Sequence, residues 1–290
     1  MVGPIQAPEQ LDQRGLAGTV LADQRKARAG RQVQRYVDQR RRAAAGIGET
    51  DREASIDIRR GVTGTLWILL IAGQSFAIHS RRLPLHRTAG RLVFALAPLL
   101  IGAFSLVTWA GAQKSAMQHP FYEAFGRPLL TGDALLVFAT ALLVYLALRY
   151  RRQVHVHGAL MISTVIGLLP PILARLFNIY MPGLIISGPE TLYRFGPSLL
   201  LSAALSVALG IFLALRYRRH GWPWWLASGL VALLYLLYAT LGQTAQWSAT
   251  VAEIATWSPI AVFACGALLG AMACVLGWRQ GETIGRLAPA

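Results

Sequence analysis

After residue 60 this chain has almost no acid: five Asp and Glu side chains against 16 Lys and Arg, in 230 residues. Charge of either sign is scarce overall, at 14% of the chain, where soluble domains carry about 25%. So few charges cannot clothe a water-facing surface, which excludes an ordinary soluble domain. The lack of carboxylates within apolar runs also counts against proton-coupled transport, which usually needs an intramembrane acid or histidine. Cysteine is nearly missing too. Cys265 and Cys274 share one apolar segment; on a helix they stand about 13 Å apart along the axis and on opposite faces, beyond disulfide reach. No Cys-x-x-Cys, His-Glu-x-x-His, Gly-x-Ser-x-Gly or phosphate-binding glycine loop occurs, so the motifs of several large enzyme classes are absent. Whether the chain is an enzyme stays open at this level.

What the sequence does have is apolar length. A helix needs about 20 apolar residues to cross a bilayer core, and 54% of the chain is hydrophobic. Seven such segments are expected, near 62–79, 90–112, 130–149, 156–176, 197–215, 222–242 and 258–278. The expected fold class is therefore all-α, a polytopic transmembrane helical bundle of about seven spans occupying residues 61–290. Trp67, Trp109, Trp222, Trp224, Trp225, Trp257 and Trp278 fall near expected helix ends, as aromatic-belt residues do. Pro98 and the pair Pro170-Pro171 lie inside expected helices and should kink them. Gln74, within the first span, needs a polar partner, and a neighbouring helix is expected to supply it. Ser163, Thr164, Ser202 and Ser206 suit close helix packing.

The basic residues come in strips between apolar runs, which is how topology is encoded and not how nucleic acid is bound. Arg81, Arg82, Arg87 and Arg91 follow the first span; Arg149, Arg151 and Arg152 the third; Arg216, Arg218 and Arg219 the fifth; Arg279 and Arg286 the seventh. The alternate side has Lys114, Arg127, Arg175 and Arg194. Twelve against four places the first set, and the C-terminus, on the cytoplasmic side of a membrane, expected to be a bacterial inner membrane. The lipid bilayer is the expected partner.

Residues 1–60 hold 12 Lys and Arg with 8 Asp and Glu, and Tyr36 as the one aromatic, too little to bury a core. A basic, Arg/Gln/Ala-rich tail, disordered or loosely helical, is expected there. Seven spans place it outside, against the rule the other loops obey. It is translocated despite its charge, or a weak span has been miscounted, or translation starts further on; the last is favoured.

Each cytoplasmic connection combines an Arg pair with His: "RRLPLHRTAGR" (His86), "YRRQVHVHGALM" (His155 and His157) and "RYRRHGWPWW" (His220). His86 and His157 each open a span running the same way, so they lie at similar depth and can share one ligand. The functional expectation is a haem or transition-metal site with His86 and His157 as ligands, and with Arg82, Arg87 and Arg152 stabilising acidic groups of a cofactor. Against it stands the plain reading in which these residues snorkel to headgroups and fix topology. His155 and His157, two apart, point to nearly opposite sides of a helix; His157 and Met161 share a face. On the other side Arg175, Glu190 and Arg194 gather, as an ion pair closing a loop or as an outward site. That cluster carries the alternative function, a non-enzymatic small-molecule transporter or lipid-interacting membrane protein. Asp133 is placed at a helix start and Glu253 in a loop.

Over roughly residues 64–178 the chain resembles a group of uncharacterised bacterial polytopic membrane proteins. The matching positions are Trp67 and Gln74, then His86, Arg87 and Gly90 as His-Arg-x-x-Gly, then His157, Leu160 and Met161, with Pro171 and Arg175 after them. A His-Gly often precedes the first helix in that group; here the place is Arg60-Gly61. The resemblance implies a membrane bundle and brings no activity with it.

Overall fold

A computed structural model describes residues 62–117 and 121–287, within one compact unit running from Ile58 to Ala290. Helix α1 is Val62–His79. There follow α2 (Leu83–Gly90), α3 (Val93–Ala116), a short π-helix (Tyr122–Gly126) leading into α4 (Arg127–Arg149), α5 (Val154–Ile166), α6 (Leu169–Tyr180), α7 (Phe195–Arg216), α8 (Trp222–Ala239), α9 (Ala245–Thr256) and α10 (Pro259–Leu287). No strand occurs among the described residues. Among the described residues seven helical segments are long and apolar enough to cross a bilayer, α5 and α6 together forming one of them. The architecture is that of an all-α, multi-pass membrane protein. Helix is the expected solution, because in hydrocarbon every backbone N–H and C=O must be paired within its own segment.

The bundle is assembled around α4 and α10. Helix α10 packs on α3 and α4, α4 also meets α5 and α8, and α7 lies between α6 and α8. Where lipid supplies no hydrophobic drive between helices, small residues let backbones approach closely. Gly270 faces the backbone of Pro98, where an added Cβ would come within 2.7 Å of the proline Cα. At Gly277 an added Cβ would come within 2.5 Å of the Tyr145 carbonyl. Within α7, buried hydroxyls pair inside their own helix: Ser202 Oγ donates to Ser198 O at 2.6 Å and Ser206 Oγ to Ser202 O at 2.8 Å.

Three sequence expectations are revised. Trp67 is no belt residue; it is fully buried among Val93, Ala97, Leu100, Val144 and Leu148, and its Nε1 donates to Thr164 Oγ1 at 2.9 Å. A paired indole N–H lets so large an apolar body enter the core. Trp224 is likewise buried. The Pro170-Pro171 kink is a break, with Gly167 and Leu168 outside helix and both prolines in the first turn of α6, where missing N–H groups cost nothing. Glu253 lies in α9, not in a loop. Helix α9 is only 12 residues, too short to span, and its start is capped by Thr244 Oγ1 accepting from Trp247 N. Residues 1–60, expected to form a tail, lie outside the described residues.

Candidate functional site: a histidine pair at the arginine-rich end

The chain turns sharply after α1 at Arg81, which sits in the left-handed region with φ 55°. That turn folds α2 back on α1 and sets His86 beside Gln74. The Gln74 side-chain amide fits its surroundings in one orientation. Its nitrogen donates to His86 Nδ1 at 2.5 Å and to His86 O at 3.0 Å, while its oxygen accepts from Gly90 N–H at 3.2 Å. Turned over, oxygen would face a carbonyl and nitrogen would face an N–H. The polar partner expected for Gln74 is thus α2.

His157 is fixed from the other side. The last carbonyls of a helix have no partner in their own helix. At the end of α4, Tyr150 N takes Leu146 O and Arg151 N takes Leu148 O. Ala147 O is met instead by His157 Nδ1 at 2.7 Å. A carbonyl only accepts, so His157 Nδ1 carries the hydrogen. This interhelical cap is a structural duty that position 157 did not reveal in the sequence.

The two rings lie close together, with centroids 6.5 Å apart and planes at 80°. Both residues are half-buried. Each ring has its Nδ1 occupied, and neither Nε2 has a partner among the described residues. Among the described residues the buried side-chain polar atoms without partners are Ser115 Oγ and Arg149 Nε, and neither Nε2 is one of them. Burial, and after it the positive charge of Arg87, holds the His86 imidazole below its usual value of 6.5.

Arg82, Arg87 and Arg152 are exposed at the same end. Arg82 occupies the position just before α2 without a side-chain cap bond, and Arg87 follows His86 in the sequence. Their neighbours Arg149 and Arg151 are employed structurally. Arg149 Nη1 donates to Tyr145 Oη at 2.7 Å and Gln280 Oε1 at 2.9 Å. Arg151 lies 4.1 Å above the Trp278 ring and donates to Trp278 O at 2.6 Å. His155 turns away from His157, as their spacing requires, and meets His220 with ring centroids 5.2 Å apart. This second pair joins two of the Arg-His strips; the recurrence of His in them was its only signal. Among the described residues no three His, Cys, Asp or Glu gather as metal ligands would.

At the opposite end Arg175 and Glu190 are both exposed, and no ion pair joins them. Arg194 Nη1 donates to Ile185 O at 2.8 Å, tying the loop to the start of α7.

Fold and site together define a class: a multi-pass helical membrane protein with an open imidazole pair at its arginine-rich end. No family model, curated protein or solved structure matches the chain.

Proposed function

We propose that this protein is a haem-binding integral membrane protein in which His86 and His157 would hold the iron. The 6.5 Å separation of the rings carries the reading. Metal–imidazole bonds of about 2.0–2.1 Å, extended by the half-width of each ring, place imidazoles on opposite sides of one metal about 6 Å apart between centroids. Adjacent corners of a tetrahedral ion would bring them to about 5 Å. A structural metal site also takes four protein ligands, and two histidines supply too few. Haem needs only axial ligands from the protein. Arg82, Arg87 and Arg152 would meet the propionates, since guanidinium groups pair well with carboxylates. Bound there, haem would supply one-electron redox chemistry, its potential set by axial ligands and their hydrogen bonds. The arginine strips support a cytoplasmic position for this end.

The test is an absorption spectrum of the full chain, purified in detergent from cells supplied with haem, with metal analysis alongside. A haem band lost in His86→Ala and in His157→Ala is expected. His157→Asn, which can still donate to Ala147 O, separates ligand loss from misfolding. A folded, colourless preparation that takes up no added hemin overturns the proposal. Stoichiometric zinc or copper with no haem band overturns it in favour of a bare two-imidazole ion.

A further inference from the structure

We infer that Gln74 is the positioning residue of this pair: its amide holds His86 in the tautomer that cannot ligate, so that ligand uptake requires the amide to turn over. The inference rests on the haem reading for its ligand, but the tautomer it assigns does not depend on any ligand.

The argument begins with what each ring nitrogen faces. Gln74 presents an N–H to His86 Nδ1, so that nitrogen must offer its lone pair. In a neutral imidazole the hydrogen is then on Nε2. His157 has the reverse arrangement, because Ala147 O accepts from its Nδ1–H. One ring therefore shows an N–H at its open edge, and the other a lone pair. Only His157 is ready to bind a metal. For His86 to follow, Nε2 must release its proton to solvent while Nδ1 gains one, with no net change in protonation. Nδ1–H then needs an acceptor. The one within reach is Gln74 Oε1, brought round by rotation of the amide.

That rotation has a cost which the structure names. In its present orientation Gln74 also satisfies His86 O and Gly90 N–H. Turning over would set the amide oxygen against the His86 carbonyl and the amide nitrogen against the Gly90 N–H, like against like. The pair is thereby latched against casual metal binding, and with its amide turned over Gln74 would stand as an acceptor behind His86 when that histidine holds a ligand. Partners of this kind raise ligand basicity, and altering them typically changes metal affinity 10–100-fold.

Nitrogen-15 NMR of histidine-labelled, ligand-free protein distinguishes protonated from unprotonated ring nitrogens. The expected result is opposite tautomers, hydrogen on Nε2 of His86 and on Nδ1 of His157. Gln74→Glu should move the His86 hydrogen to Nδ1, where a carboxylate accepts it, and leave His157 unchanged. Hemin titration of the same samples should show at least tenfold tighter binding by Gln74→Glu, with a lower reduction potential. A purely structural role for Gln74 would move neither the tautomer nor the potential. Hydrogen on His86 Nδ1 in the wild-type protein overturns the inference, and so does tighter binding failing to appear in Gln74→Glu while wild-type binds. Opposite tautomers in a protein that takes up no hemin, in either form, would overturn the haem reading and leave the tautomer assignment standing.

Discussion

The two ends of the bundle treat their polar groups differently. At the end opposite the arginine strips, side chains spend their donors on helix-end carbonyls. Trp109 Nε1 donates to Trp257 O at 2.9 Å, Trp247 Nε1 to Arg127 O at 2.6 Å, and the Gln113 amide to Ala255 O. Phe121 packs edge to face on Phe195, and Phe125 lies tilted against both rings. Each contact ties α9 or a loop to the frame. At the arginine-rich end Arg151 and His157 Nδ1 do the same work, donating to Trp278 O and Ala147 O, but the Nε2 atoms of His86 and His157 have no partner among the described residues. The proposed site matches this difference: its chemistry would lie at the arginine-rich end, and the opposite end closes the bundle.

The sharpest way to break this contrast is to remove one group from each end and ask which property falls. His157→Ala should abolish hemin binding, a loss of 100-fold or more, and also leave Ala147 O unpaired at about 1–3 kcal/mol. Trp247→Phe should leave hemin binding unchanged and lower stability by about 1 kcal/mol, the usual worth of one hydrogen bond. Titration and thermal unfolding in one detergent measure both. Weaker hemin binding by Trp247→Phe would show the two ends coupled, and the division of labour proposed here would fail.

Much of this was legible from composition and period. The seven apolar lengths and the alternating strips predict the spans and the grouping of His86, His155, His157 and His220 at one end. Depth arguments also bring His86 and His157 together, because both open spans of the same direction. What the sequence could not carry was partner choice. Trp67 reads as a belt tryptophan until Thr164, 97 positions away, is seen to take its N–H. Helix α9 is too short and mixed to separate from a loop by pattern. Gln74 announces a need for a partner, while the identity of that partner depends on a left-handed turn at Arg81 that nothing in "HSRRLPLHR" marks. Arg175, Glu190 and Arg194 stand out along the chain because charge is rare there, but the sequence could not say that Arg194 donates to the Ile185 carbonyl.

A smaller effect sharpens the contrast through pH. His86 titrates below the ordinary 6.5 because burial and Arg87 both disfavour its cation. The folded form therefore binds fewer protons than the unfolded form as pH falls below that value. Stability from this residue is present above pH 6.5 and declines as pH drops towards the depressed folded value. Unfolding temperatures at several pH values should show a drop on acidification that His86→Gln reduces. An identical decline in both proteins would remove His86 as its source.

The mildest prediction concerns the turn that brings the two histidines together. Arg81 occupies the left-handed region, which costs an ordinary residue roughly 1–2 kcal/mol. Arg81→Gly relieves that strain, yet glycine loses about 0.5–1 kcal/mol more on folding through its freer unfolded chain. The terms nearly offset, so Arg81→Gly should change stability by less than about 1 kcal/mol and keep hemin binding. Arg81→Val meets the same strain with a branched side chain that tolerates this region poorly. It should destabilise the turn and, by withdrawing α2 from Gln74, weaken hemin binding as well. The pair thus separates the arginine's charge, lost in both variants, from the backbone geometry, lost in one. Equal weakening of hemin binding by both substitutions would mean that charge at position 81, rather than the turn, serves the site.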